Sequence, residues 1–257
     1  RQLAEKIEEL GAHRVAAFIA EPIQGAGGVI IPPESYWPEI QAICESYGIL
    51  LIVDEVICGF GRTGRWFGSQ TMGIRPDVMT LAKGLSSGYA PIGASMISAR
   101  VAEVINGAGE FNHGYTYSAH PVASAVALEN LRILEDEQIV ERAAAEVAPY
   151  LAERWHALTE HPLVGEAVIT GMIGSIALTP DKAARAKFAA GPGTAGFICR
   201  ERCFANRLVM RHVNDRMVIS PPLISSRAEV DALIERAWQA LDETRARLLD
   251  EGLMVAA

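Results

Sequence analysis

Hydrophobic positions follow two rhythms along this chain. Up to about residue 120, short unbroken apolar runs alternate with amphipathic segments. Residues 3–10 are charged on one side and apolar on the other, predicting a helix that Gly11 stops. Residues 15–20 predict a buried strand. It leads into Glu21-Pro22-Ile23-Gln24-Gly25-Ala26-Gly27-Gly28, which Pro and Gly keep irregular. Residues 36–47 bring Trp37, Ile40, Ile43 and Cys44 to one helix face. Two continuous apolar runs, at 49–54 and 77–83, then predict strands buried on both faces, and residues 93–98 add another. The βαβ rhythm predicts an α/β domain with a mixed, mostly parallel sheet and helices on both faces.

Beyond Pro121 the pattern changes. Helical spacing covers 122–134 and 139–158, and strand candidates follow at 164–169, 174–178, 208–211 and 217–220. A helix at 195–206 separates them, and a long one at 228–249 closes the series. The expected organisation is a large domain over 1–140 and a smaller C-terminal α+β domain over 141–257.

With 257 residues, 50% of them hydrophobic, the chain can bury a substantial core. Its 23 basic and 31 acidic side chains leave a net charge of −8 with no basic stripe, which argues against nucleic-acid binding. No apolar run reaches membrane-spanning length and no signal peptide is visible, so no membrane role is expected. Cys44, Cys58, Cys199 and Cys203 are too scattered for a disulfide framework, which fits a cytoplasmic location. Cys199 and Cys203, four apart with no histidine partner nearby, read as one face of a helix rather than a metal site. Arg1 falls inside a helical pattern, so the chain is expected to begin at a cut end.

Chemistry concentrates at two strand ends. Ile49-Leu50-Leu51-Ile52-Val53-Asp54-Glu55 ends in an acid and runs into Cys58-Gly59-Phe60-Gly61-Arg62-Thr63-Gly64. Asp77-Val78-Met79-Thr80-Leu81-Ala82-Lys83-Gly84 ends in an amine. Sites in open α/β sheets lie beyond the carboxyl ends of such strands. An acid and an amine aimed into one crevice suit pyridoxal 5'-phosphate: Lys83 would form the Schiff base, and Asp54 would hold the pyridine nitrogen protonated at the ring's other end. On pattern alone, Asp54 is also compatible with a turn carboxylate and Lys83 with a solvated loop lysine. The glycine run also matches the G-x-G-x-x-G of dinucleotide sites. That fingerprint needs a helix opening at the glycines. Here Gly68, Gly73 and Pro76 break up any crossover helix, and Asp54 would repel a phosphate.

The Glu21–Gly28 loop, the Asp54–Gly64 run and Leu81-Ala82-Lys83-Gly84, in this order and spacing, closely resemble the class III pyridoxal-phosphate-dependent aminotransferases. Within them the chain is similar to the ω-amino-acid or amine:pyruvate transaminases, including the putrescine–pyruvate type. The resemblance implies the fold type I of these transferases and a homodimer with shared active sites. It implies ping-pong transfer of an amino group from a primary amine or ω-amino acid to pyruvate or a similar keto acid. An aminomutase or decarboxylase of the same class, or an inactive fragment, is the alternative.

The same resemblance assigns roles. Val56 packs on the cofactor ring. Thr116, in His113-Gly114-Tyr115-Thr116-Tyr117-Ser118-Ala119-His120, contacts the phosphate of the other subunit; the alternative is a turn hydroxyl bonding its own backbone. Glu21 lies at the cofactor site, where ornithine-type relatives use it to gate an arginine. That arginine's position is Val218 here, so the carboxylate-binding role passes to Arg211, which on its own reads equally as a surface residue. Two further positions depart from the usual pattern: Ile57 replaces a common glutamine, and Val168-Ile169 a common Arg-Gly pair. Full-length members carry a phosphate cup and a ring-stacking aromatic before the residues that align with Arg1. The functional reading therefore concerns a parent protein, and this chain alone is expected to bind cofactor poorly.

Overall fold

The computed structural model describes residues 1–254. They form two compact units. One comprises Arg1–Ile23 and Ile31–Val140, and the other takes in Gln24–Ile30 together with the residues from Glu141 onward.

In the first unit, α1 (Gln2–Leu10), β1 (Ala17–Ala20), α2 (Tyr36–Tyr47), β2 (Leu50–Asp54), α3 (Gly68–Met72), β3 (Val78–Leu81), β4 (Ala94–Ile97), α4 (Ala99–Gly107) and α5 (Pro121–Asp136) follow in order. The sheet runs β1-β2-β3-β4, with β1, β2 and β3 parallel and β4 antiparallel to β3. Burial alternates along β2. Leu51 and Val53 pack with Ile7, Trp37, Ile40 and Cys44 into the core beneath α1 and α2. Leu50, Ile52 and Asp54 therefore leave the opposite, less covered face.

Three features differ from expectation. Strand β1 starts at Ala17 because a 3-10 turn at Ala12–Arg14 engages the Val15 N–H with the Ala12 carbonyl. A five-residue helix, α3, does form after the glycine run. Helix α4 buries no residue, so no apolar stripe announced it; its start is marked by Ser98, whose Oγ accepts the Val101 N–H at 3.4 Å.

The expected helix 139–158, whose first two residues belong to the first unit, is helical throughout but not uniformly α. Between α6 (Ile139–Arg142) and α7 (Ala148–Ala157), Ala143–Val147 winds as a π-helix. Pro149 has no N–H for the Ala145 carbonyl and its ring would collide with it, and the wider turn relieves both problems. Next come β5 (Val164–Thr170), β6 (Ile173–Leu178), α8 (Thr194–Ala205), β7 (Arg211–Val213), β8 (Arg216–Ile219) and α9 (Arg227–Asp250). The sheet order is β5-β6-β8-β7, antiparallel throughout. Strand β7 begins where the sequence expected it to end: the Leu208 N–H closes the end of α8 on the Cys203 carbonyl, keeping 208–210 off the ladder.

Helix α9 opens on a capping box between Ser226 and Glu229 and sends Val230, Ile234, Ala237, Leu241 and Leu248 into the core. Gln24–Ile30 is fastened to this unit by Ser175, which is fully buried. Its Oγ donates to the Gly28 carbonyl at 2.8 Å and receives Arg216 Nη1 at 3.1 Å. All four cysteines are free and buried. No helix among the described residues is long and apolar enough to cross a membrane.

Candidate active site

Strands β1, β2 and β3 are parallel neighbours, so their carboxyl ends share one edge of the sheet. Glu21 follows the last residue of β1, Asp54 ends β2, and Lys83 lies two residues past the end of β3. Adjacent strands are spaced about 4.8 Å apart. Three of the residues singled out in the sequence thus come to one edge on successive strands.

Asp54 is half-buried. Its Oδ1 accepts the Val56 N–H at 3.0 Å, a local turn that sets Val56 immediately beyond the acid. Among the described residues its other oxygen has no hydrogen-bond or ion-pair partner. Thr80, the register partner of Asp54 on β3, shares its face of the sheet. The Thr80 Oγ1 is buried and also lacks a partner. Buried hydroxyls are rarely left unbonded. An anion with a spare oxygen beside an unsatisfied hydroxyl fits the protonated nitrogen of a pyridine ring.

Lys83 opens a 3-10 turn, Lys83–Leu85, with φ of 43°. This is uncommon for a residue with a side chain and holds only where neighbours enforce it. Two contacts do so. A Cβ on Gly84 would lie 2.9 Å from Cβ and Cδ2 of Phe60, so the turn is pressed against the glycine run that follows Asp54. On another side, Asn130 of α5 donates Nδ2 to the carbonyls of Gly84 at 2.9 Å and Leu85 at 3.1 Å. The Lys83 side chain is exposed and its amine makes no ion pair among the described residues.

Two groups overlooked in the sequence shape this edge. Glu55 is fully buried, its carboxylate accepting the N–H groups of Gly68 at 2.8 Å and Ser69 at 2.6 Å. The first amides of α3 are therefore occupied by an internal anion. A dinucleotide phosphate finds no free helix start here, and this disposes of the rival reading of the glycines. Asn130 is the other; nothing in a helical asparagine signals a tether to a loop 46 residues earlier. Trp37 Nε1 donates to the Pro22 carbonyl at 3.1 Å and the Cys58 thiol to that of Ile23 at 3.3 Å, fixing the backbone just past Glu21. Burial pushes the Cys58 thiol up to about 12, so it stays protonated.

The remaining predicted residues stand on other elements. Thr116 sits in an exposed turn before α5. Ser118, not Thr116, closes that turn: its Oγ accepts the Tyr115 N–H at 2.9 Å. Arg211 opens β7 in the second unit, exposed, and is the cross-strand register partner of Val218.

Comparison with known proteins accounts for this arrangement. The family described as aminotransferase class-III matches residues 1–241. The chain belongs to the class III aminotransferases. It is 56% identical over 248 residues to a putrescine–pyruvate aminotransferase of Pseudomonas aeruginosa, covering 96% of this chain and 54% of that protein. It is 42% identical over 255 residues to the chloroplastic gamma aminobutyrate transaminase 3 of Solanum lycopersicum, covering 96% and 49%. Among solved structures, the omega transaminase of Pseudomonas jessenii in complex with PMP superposes with a TM-score of 0.90 at 46% identity, covering 95% of this chain and 55% of that one. The fold is that of type I transaminases. The chain spans about half the length of the curated relatives it matches.

Proposed function

We propose that the protein is a pyridoxal-phosphate-dependent transaminase that moves an amino group from a primary amine or ω-amino acid to pyruvate or a similar keto acid. The observation that carries this reading is the shared strand edge. Asp54 offers a spare carboxylate oxygen there, Thr80 leaves a hydroxyl unbonded, and Lys83 presents its amine from the turn just past the end of the next strand. In this reading residues 1–140 are the C-terminal part of the large cofactor-binding domain and 141–257 the small domain.

Pyridoxal phosphate, when bound, supplies an aldehyde that takes up amines and a cationic ring that accepts the electrons left when a Cα–H bond breaks. Asp54 keeps the ring nitrogen protonated; an anion at this half-buried edge is stabilised by that positive partner and costly without it. Lys83 holds the cofactor between turnovers. Once displaced, its Nζ takes the proton from the substrate carbon, as a base at the end of a flexible stem can. Val56 covers a ring face, Glu21 lines the site, and Thr116 gives its free hydroxyl to the phosphate in a second subunit. Arg211 forks onto the carboxylate of the keto acid. No other cation is needed for an uncharged amine tail, which agrees with Val218 at the opposite position.

The partners are therefore a small amine, a small keto acid and a second copy of the chain. Four free, buried cysteines agree with work in the cytoplasm. The test is alanine formation by the full-length protein from pyruvate and a panel of amines including putrescine. Turnover with at least one amine, together with an Arg211→Ala variant whose KM for pyruvate rises, is the expected result. No alanine from any amine would overturn the substrate reading.

A further inference from the structure

We propose that Asn130 is a positioning residue for Lys83: it locks the turn that carries the amine, so that Nζ is presented to the cofactor in one orientation. This deepens the transaminase reading and rests on it.

The argument begins with the backbone. Lys83 is held at a positive φ of 43°, and the turn it opens is short. Farther on, Ser86 Oγ donates to the Ala90 carbonyl at 2.6 Å and the Tyr89 N–H to the Ser86 carbonyl at 3.0 Å. The turn's own bonds are few: Leu85 N–H to the Ala82 carbonyl at 3.0 Å, Ser86 N–H to the Lys83 carbonyl at 3.2 Å, and Ser87 N–H to the Gly84 carbonyl at 3.3 Å. The last two are long. Ser87 itself sits at a φ of 47°, so the segment carries two non-glycine residues in the left-handed region. Such a turn keeps its shape only if its surroundings over-determine it. Phe60 presses on Gly84 from the side of the glycine run, but an aromatic contact limits approach without fixing direction. Direction comes from Asn130. One amide nitrogen donates to two successive carbonyls, and its two hydrogens suit that pair. The Leu85 carbonyl has no other partner among the described residues. Asn130 belongs to a 16-residue helix, a rigid element whose own backbone bonds do not depend on the turn.

A residue with this role acts through Lys83 and touches neither substrate nor cofactor. Its loss should slow steps in which the amine moves a proton while leaving amine binding largely intact. A misplacement of about 1 Å can cost about 100-fold in rate.

The experiment compares wild type, Asn130→Ala, Asn130→Asp and Asn130→Gln in the full-length protein, with Lys83→Ala as control. Asn130→Asp keeps the volume but sets a carboxylate against two carbonyls. First, hydrogen exchange without cofactor: amides of Ser86 and Ser87 should exchange at least about 10-fold faster in Asn130→Ala and Asn130→Asp, while β3 and α5 keep wild-type protection. Second, borohydride reduction after adding pyridoxal phosphate, with peptide mapping, should place the cofactor on Lys83 in wild type and at a lower rate in both variants. Third, kcat should fall about 10- to 100-fold with KM for the amine little changed, and Asn130→Gln should recover part of it. Wild type failing to take cofactor on Lys83 would overturn the transaminase reading, and this proposal with it. Wild-type labelling matched by both variants, with unchanged kcat, would overturn the role of Asn130 alone. A variant that loses protection throughout α5 would also reject it, since Asn130 would then be holding the helix rather than the turn.

Discussion

Asp54 and His161 show how one side chain's environment decides its chemistry. Asp54 keeps one oxygen without a protein partner at a half-buried sheet edge, where it stays open to an incoming group. His161, by contrast, is fully enclosed and fully engaged. Its Nδ1 accepts the Leu163 N–H at 3.1 Å and its Nε2 faces Asp242 at 3.1 Å, which defines the neutral tautomer with the proton on Nε2. Burial holds the imidazole below its usual pKa, with Asp242 only partly offsetting it. Protonation would also break the Leu163 contact. Because the folded-state pKa is depressed, the unfolded chain binds the extra proton first. The stabilisation is therefore complete above about pH 6.5 and is lost as pH falls towards the folded-state value. Urea midpoints should drop between pH 7.5 and pH 5.5, and His161→Gln should flatten that dependence. An unchanged slope in the variant would show that another group is responsible.

Among elements, the turn from Glu55 to Ser69 is organised by its first side chain. Glu55 replaces solvent for two amides of α3 and fixes where the glycine run returns to helix. In Glu55→Gln, one oxygen still accepts, but the amide nitrogen meets an N–H and leaves it unbonded. The expected cost is about 1–3 kcal/mol, read as a lower urea midpoint. The apolar runs at β2 and β3 and the acid and amine at their ends were legible in the sequence because strand burial and strand-end chemistry are local patterns. So was α2, where Trp37, Ile40 and Cys44 share a buried stripe and Gly48 turns left-handed at φ 66°. Helix α4 was not, since it buries nothing and periodicity had nothing to register. The start of β7 was missed because the Leu208 amide prefers the end of α8, a choice made by tertiary contacts. Asn130 and Glu55 escaped for a similar reason: their partners are backbone groups, and backbone groups leave no mark in a residue pattern.

The whole molecule exposes a set of large apolar side chains, among them Tyr89, Phe111, Tyr115, Tyr117, Val122 and Leu128. Several of them flank Thr116 along the chain. If Thr116 acts across a dimer, Lys83→Ala and Thr116→Ala subunits should complement each other when mixed and reassembled. Half the dimers would be hybrids, each with one intact site. Above whatever activity the parents retain, mixing should restore up to about a quarter of wild type. No recovery would place Thr116 with its own lysine.

Gln24–Ile30 lies early in the chain yet packs with the unit formed by the residues after Glu141, through Gly28 and Ser175. A protease nick at Val140–Glu141 would therefore leave the early strip behind. A gene truncated there would yield a C-terminal piece missing an internal buttress, with Ser175 Oγ deprived of its acceptor. Domain dissection of this protein calls for a splice that joins the strip to the C-terminal piece through a designed linker.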